Sequence, residues 1–326
     1  MGDSLRPMRI MLRMALALIP VVLLSAADRV LGQGRAVEAV QTKPGICLHP
    51  DQLFDEDGDV ARNRTTLAHR DLCLRLEVFS EGRLHWILQI IRNRKNPNGP
   101  LWVVPHDDED VAFDSAIHGV TRYGGTVVAV ERNGDRYNRI GKRKQDPNRN
   151  FQIRGESKCR LQLARSSQFT RQHMRWHMKG QPVIALHTNK VGYDLVPELD
   201  EEKSKGNVSI LIERDENSHI TAFPAPRPMR ARSPDDTLIY VASGLPPRAD
   251  PRLMSFVGAL NAAGIHVLYE HVERNDCSLS NYAVSRSLPY VNIEVVDSDD
   301  SGAQVRMIDA VMNLIRAGRG PVAPAR

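Results

Sequence analysis

From Leu72 onward the chain breaks into short apolar runs separated by polar stretches. Leu72–Phe79 and Leu84–Ile91 alternate apolar and polar positions, which predicts a β-hairpin turning around Glu81-Gly82. Leu101–Pro105 is a continuous apolar run and reads as a buried strand. Val111–Val120 has helical spacing, as do Pro251–Ala263 and the amphipathic Ala303–Ile315. Thr126–Val130, Pro182–Leu186, Val208–Ile212, Leu238–Val241, Ile265–Tyr269 and Tyr290–Val296 read as strands. Strands interleaved with helices predict an α/β fold: a mixed, mostly parallel central sheet flanked by helices.

The rest of the chain is punctuation. Residues 28–70 are polar and read as loop, and Phe223–Asp236 holds four prolines and reads as another. The tail 318–326 is expected to be disordered, and no internal repeat is present. The body is therefore one domain, 71–317. At the start, Arg6, Arg9 and Arg13 precede an apolar run from Ala15 to Ala27. That run is shorter than the roughly 20 residues a spanning helix needs, and it ends in the small residues Ser25-Ala26-Ala27. Residues 1–27 read as a secretory signal peptide, with an exported protein and no stable membrane anchor as the expectation.

Composition narrows the classes further. Of 326 residues, 41% are hydrophobic and 25% charged, which excludes a disordered chain and a multi-span membrane protein. Aromatics are 5%, too few for a base-stacking platform, and no nucleic-acid motif occurs. Four cysteines, Cys47, Cys73, Cys159 and Cys277, form no C-x-x-C pair, so a thiolate metal site is not expected. In an oxidising compartment they allow three pairings, of which Cys47–Cys73 with Cys159–Cys277 is preferred here. Asp55-x-Asp57-x-Asp59 resembles the start of a calcium loop, but Thr66 stands where the closing Glu belongs, so a solvated acidic loop is expected.

Four constellations carry candidate chemistry. His106-Asp107-Asp108-Glu109 follows the strand Leu101–Pro105, and ligands of open α/β sheets bind beyond the carboxyl ends of strands. His187 closes a second apolar run, so two strand-end histidines and one carboxylate make a 2-His-1-Glu metal set without thiolates. In Asp146-Pro147-Asn148-Arg149-Asn150-Phe151, Arg149 can grip a carboxylate with two N–H groups, and Asn148 offers an amide beside it. In Tyr290–Val296, alternation puts Asn292, Glu294 and Val296 on one face. A carboxylate inside an apolar strand is costly to bury, which marks Glu294 as a candidate general base.

The order H-x-x-E, D-x-N-R-N-F, strand-His, strand-Glu resembles the zinc carboxypeptidases of the carboxypeptidase A type, over about Leu101 to Val296. The resemblance implies one zinc ion held by His106, Glu109 and His187, with Asp146 orienting His106. It implies substrate carboxylate binding by Asn148 and Arg149, and Glu294 as base. It implies an arginine that polarises the scissile carbonyl, for which Arg136 is the choice and Arg132 the next. It implies a substrate-binding tyrosine, for which Tyr282 is the choice and Tyr290 the alternative. The implied activity is hydrolysis of an amide bond next to a free carboxylate, on peptides such as those of cell walls. The aspartoacylase and succinylglutamate desuccinylase type of N-acyl amino acid hydrolase shares the zinc pattern, and an inactive peptide-binding module is the remaining alternative. This chain departs from the digestive enzymes in its short segment between Glu109 and Asn148, its long gap between His187 and Glu294, and Thr188-Asn189 after the third ligand. The run from Asn133 to Arg160 is strongly basic and reads as a solvated loop or a positive wall near Arg149.

Overall fold

The computed structural model describes residues 46–53, 58–152, 168–189, 208–210, 219–229, 237–296 and 301–321. All of them fall within the unit Val40–Arg326. The expected signal peptide, Asp55 and Asp57, Cys159 and residues 322–326 lie outside the described residues.

A short 3-10 turn, Pro50–Gln52, precedes helices α1 (Asp59–Arg62) and α2 (Arg64–Leu67). The hairpin follows as β1 (Leu72–Glu81) and β2 (Leu84–Asn93), longer than its apolar pattern and joined through Gly82 at φ 62°. Next come β3 (Leu101–Val104), α3 (Asp110–Tyr123), β4 (Thr126–Glu131), β5 (Asn138–Ile140), β6 (Arg143–Gln145) and α4 (Gln168–Met174). Then follow β7 (Val183–Asn189), β8 (Ile220–Phe223), β9 (Leu238–Ser243), α5 (Pro251–Ala262) and β10 (His266–His271). The described chain closes with α6 (Leu279–Ser285), β11 (Tyr290–Val296) and α7 (Ser301–Arg316).

Among the described residues, nine strands form one sheet in the order β1-β2-β4-β3-β7-β11-β9-β10-β8. The sheet is mixed, as expected. Its centre, β4-β3-β7-β11, is parallel, whereas β1, β2, β9 and β8 each make antiparallel pairs. β9 and β10 are parallel as well, so four of the eight strand pairings of this sheet among the described residues are parallel. From β3 the chain crosses through α3 to β4 on one side, while β7 pairs on the other. Such a reversal opens a crevice at the carboxyl ends of the two strands.

Alternation sorts the core. Trp102, Val104, Ile184, Leu186, Val291, Ile293 and Val295 face α3, α5 and α7 in one buried cluster. Leu101, Val103, Val183, Ala185 and Tyr290 face the opposite layer, with Phe169 of α4 and Leu279 and Ala283 of α6. Gly124 and Gly125, at φ 82° and 87°, end α3 and turn the chain into β4, where a Cβ on Gly125 would stand inside contact of the Pro100 carbonyl.

Several elements differ from the pattern-based reading. Residues 28–70 are not all loop: α1 and α2 form, and Val60 and Leu67 join the main core. Arg62 reaches Asp59, Asp110 and Asp114, tying α1 to the start of α3. The Cys47–Cys73 disulfide forms with a separation of 26 residues, and Cys277 is disulfide-bonded as well. Val208–Ile212 is not a strand in its described part: Val208 and Ser209 are irregular and Ile210 sits in a 3-10 turn. The side chain of Asn189 supplies both hydrogen bonds to the Val208 backbone that a neighbouring strand would have supplied. The short β5–β6 hairpin was not legible, because it is three residues a side and mostly polar.

His173, fully buried between Phe151 and Phe169, donates from Nδ1 to the Phe169 carbonyl. Burial pushes its pKa down to about 4, against that bond. Between pH 6.5 and about 4 the unfolded chain takes a proton that the folded chain refuses, so stability falls as pH drops through that window, by about 3 kcal/mol in full. For metal-free protein, His173→Phe is expected to lose less of its urea midpoint between pH 7 and 4.5 than the wild type does. An equal loss would contradict this.

Candidate metal centre

The parallel centre of the sheet puts three residues at one level. Val103 pairs with Ala185, and Ala185 with Asn292. His106 lies three residues beyond the first of these, and His187 and Glu294 two beyond the others, directly opposite each other in register. Gln304 of α7 donates to the carbonyls of His187 (2.9 Å) and Ile293 (3.0 Å), locking β7 to β11 at this height. Glu109 is the N-cap residue of α3, not part of its first turn, and the backbone swing after β3 carries it back over the strand end.

His106, Glu109 and His187 are all buried, and one potential ligand atom from each lies within 4.8 Å of the others. His106 Nδ1 is 2.9 Å from Glu109 Oε1, His187 Nδ1 is 3.1 Å from Glu109 Oε2, and the two Nδ1 atoms are 3.2 Å apart. His106 Nε2 is 2.9 Å from Asp146 Oδ1. That contact assigns the His106 proton to Nε2 in the neutral ring and turns the Nδ1 lone pair to the centre. Thr188 N donates to Glu109 Oε2 (3.1 Å), and Arg136 donates to Glu109 Oε1 (2.5 Å).

The electrostatics follow from burial. Burial and Arg136 oppose a charge on His106, but the carboxylates of Glu109 and Asp146 outweigh them and raise it to about 9. Burial opposes ionisation of Glu109, and His106, His187 and Arg136 overcome it, holding its carboxyl well below the usual range. Asp146 is held low in the same way, chiefly by His106 against its own burial. Two ring nitrogens facing each other at 3.2 Å in a buried place cannot both keep protons, and a divalent cation satisfies both lone pairs and the carboxylate together. The donor set fits such an ion: two imidazoles and a carboxylate suit zinc, manganese or iron. When bound, His106 Nδ1, His187 Nδ1 and Glu109 would hold it.

Around this cluster stand the remaining candidates. Glu294 is 8% exposed, and burial raises its pKa while His187 opposes the rise. Asp107 accepts from the backbone N–H groups of Arg132 (2.5 Å) and Gly134 (2.8 Å), pinning the loop that delivers Arg136. Asn148 N donates to Asp146 Oδ1 (2.8 Å), and Asn148 Oδ1 accepts from Leu279 N at the start of α6 (3.1 Å). Arg149 Nε is 3.4 Å from Asp276 Oδ2. The two tyrosine candidates part: the Tyr282 ring meets Phe151 and Arg286, whereas Tyr290 lies in the field of Arg149, Glu270 and Glu294. Within the basic run, Arg136 and Arg149 turn to this cluster, while Arg139, Lys142, Arg143 and Lys144 are exposed. Glu270 and Asp276 were not anticipated, although Glu270 lies within the last residues of an apolar strand, as His187 and Glu294 do.

Dialysed protein is expected to take up one equivalent of Zn2+ or Mn2+, read by metal analysis and a rise in melting temperature. His187→Ala should lose that uptake, and Asp146→Asn should weaken it by about 10- to 100-fold. Wild-type protein that binds no ion, or a His187→Ala variant that binds as wild type does, would contradict the assignment.

No protein-family model matches the chain, and no curated protein matches it. Solved structures similar to it include a candidate metallopeptidase from Shewanella amazonensis, 13% identical, over 82% of this chain and 92% of that one, at TM-score 0.42. A metallo-carboxypeptidase from Burkholderia cenocepacia is 12% identical over 82% of this chain and 70% of that one, at TM-score 0.43. A succinylglutamate desuccinylase from a Silicibacter species is 10% identical over 80% of this chain and 70% of that one, at TM-score 0.42. The chain is thus remotely similar to metallo-carboxypeptidases and to a desuccinylase.

Proposed function

We propose that the chain is an exported, metal-dependent amide hydrolase that cuts next to a free carboxylate, with zinc as the resident ion and peptides, including cell-wall peptides, as substrates. The observation that carries the reading is the convergence of His106 Nδ1, His187 Nδ1 and the Glu109 carboxylate, with Glu294 paired in register opposite His187. Export is supported by the signal-like start of the sequence and by the Cys47–Cys73 disulfide, a bond that persists in oxidising compartments. Among the described residues, no helix is long and apolar enough to cross a membrane.

In this reading the ion, when bound, acidifies a water and polarises the scissile carbonyl. The side chains do the rest. Arg149 takes the substrate's carboxylate in a charge-assisted contact, with Asn148 beside it. That fixes which amide bond lies over Glu294. Arg136, already at the rim of the cluster, donates to the carbonyl oxygen as negative charge develops on it. Glu294 takes a proton from the attacking water and passes it to the leaving nitrogen as the C–N bond breaks. Burial suits Glu294 to this, because a raised pKa brings a carboxylate nearer the operating pH.

Glu294→Gln is expected to lower kcat by a thousandfold or more while metal content stays at one equivalent; near-normal turnover would remove Glu294 from the role of base. Offering N-acyl amino acids beside peptides decides between the two substrate classes. Turnover of the former alone would make the chain an acyl-amino-acid hydrolase, and turnover of neither would leave a peptide-binding module.

A further inference from the structure

Tyr290, Asn292 and Glu294 alternate onto one face of β11, each step about 6.6 Å along the strand. The two ends of this row are fixed. Glu294 stands opposite His187, and Tyr290 stands by Arg149 and Glu270. Asn292 therefore occupies the middle, between the arginine read above as the carboxylate anchor and the metal cluster.

Asn292 is 8% exposed. Its Nδ2 donates to Glu294 Oε1 at 2.9 Å, which fixes the orientation of the amide. Its Oδ1 is buried and has no hydrogen-bond partner among the described residues. An unpaired buried acceptor costs about 1–3 kcal/mol, and a strand position lined by apolar neighbours would be served better by valine. The oxygen calls for a donor from outside the fold.

The far end of the row is also rich in acceptors. Arg149 faces Asp276 at 3.4 Å, and Asp276 is linked through Asn281 to a second carboxylate. Asn281 Oδ1 accepts from Asp276 N (3.2 Å), and Asn281 Nδ2 donates to Glu270 Oε1 (2.7 Å). The Arg149 guanidinium thus stands in the field of three carboxylates, Asp276, Asp146 and Glu270, before any ligand arrives, and of these Asp146 is also paired with His106. A ligand carboxylate placed on Arg149 adds a further negative charge beside Asp276 and Glu270, so an acidic or apolar side chain at this place leaves the excess unbalanced.

We propose that the residue released by this site carries an amino-bearing side chain, whose ammonium group is read by Asn292 Oδ1 and the Glu270 carboxylate while Arg149 holds its carboxylate. The inference rests on the hydrolase reading for the identity of the occupant, a released amino acid. Its test is a binding measurement, so the two can fail separately.

The probes are free L-lysine, L-norleucine and L-glutamate, titrated calorimetrically into the intact metal-loaded protein. Norleucine shares a straight apolar stem with lysine and lacks the terminal ammonium. Lysine is expected to bind at least tenfold more tightly than norleucine, with glutamate weakest, and Arg149→Ala should lose all three. Asn292→Leu and Glu270→Gln should each bring the lysine-to-norleucine ratio towards one, with circular dichroism melting verifying that each variant is folded. Norleucine binding as tightly as lysine, no binding of any of the three, or an unchanged ratio in both folded variants would overturn the proposal. A lysine preference that holds while no amide substrate is cut would overturn the hydrolase reading and leave only the recognition of an amino-bearing ligand by Arg149, Asn292 and Glu270 standing.

Discussion

Glu109 is a carboxylate at 2% exposure, with an imidazole nitrogen of His106, just beyond β3, and one of His187, on β7, within 3.1 Å and an arginine at 2.5 Å. An isolated buried carboxylate would be protonated, and it is the surrounding positive and donating groups that keep it charged. Every nearby feature answers to that constraint. Thr188 N gives Glu109 a backbone donor, and Asp146 gives His106 a counter-charge on its far nitrogen. Asp107 holds the loop from which Arg136 enters. The set is nearly balanced by protons, and it is balanced better by a divalent ion that replaces the proton on His106.

The sheet makes this convergence rigid. β3, β7 and β11 run parallel, so their carboxyl ends deliver His106, His187 and Glu294 at one height. The odd residues of β11 are buried against α7 and its neighbours, so any slip by one residue would turn Glu294 into the core. Gln304 adds two side-chain bonds to the strand carbonyls at that height. Apolar packing on one face thereby fixes the polar geometry on the other.

Much of this was legible in sequence where a local signal existed. Two apolar runs followed by His and a third with Glu inside it marked the strands and their carboxyl ends, and H-x-x-E marked the turn into α3. What was not legible depended on distant pairing. Val208 has strand composition, yet Asn189 claims its backbone from another segment. β8 gains its place only by pairing with β10, which lies more than forty residues later in the chain. Glu270 and Asp276 gain meaning only when α6 brings Asn281 between them. Where Tyr282 and Tyr290 stand could not be read from spacing, because it depends on which ring the fold packs beside Phe151.

The central claim is that one cation organises this cluster, and its most direct test is anomalous diffraction from metal-loaded crystals recorded on both sides of the zinc absorption edge. The account predicts a single strong peak within bonding distance, about 2.0–2.2 Å, of His106 Nδ1, His187 Nδ1 and a Glu109 oxygen. An anomalous peak elsewhere, or full metal loading with no peak between these three side chains, would contradict it.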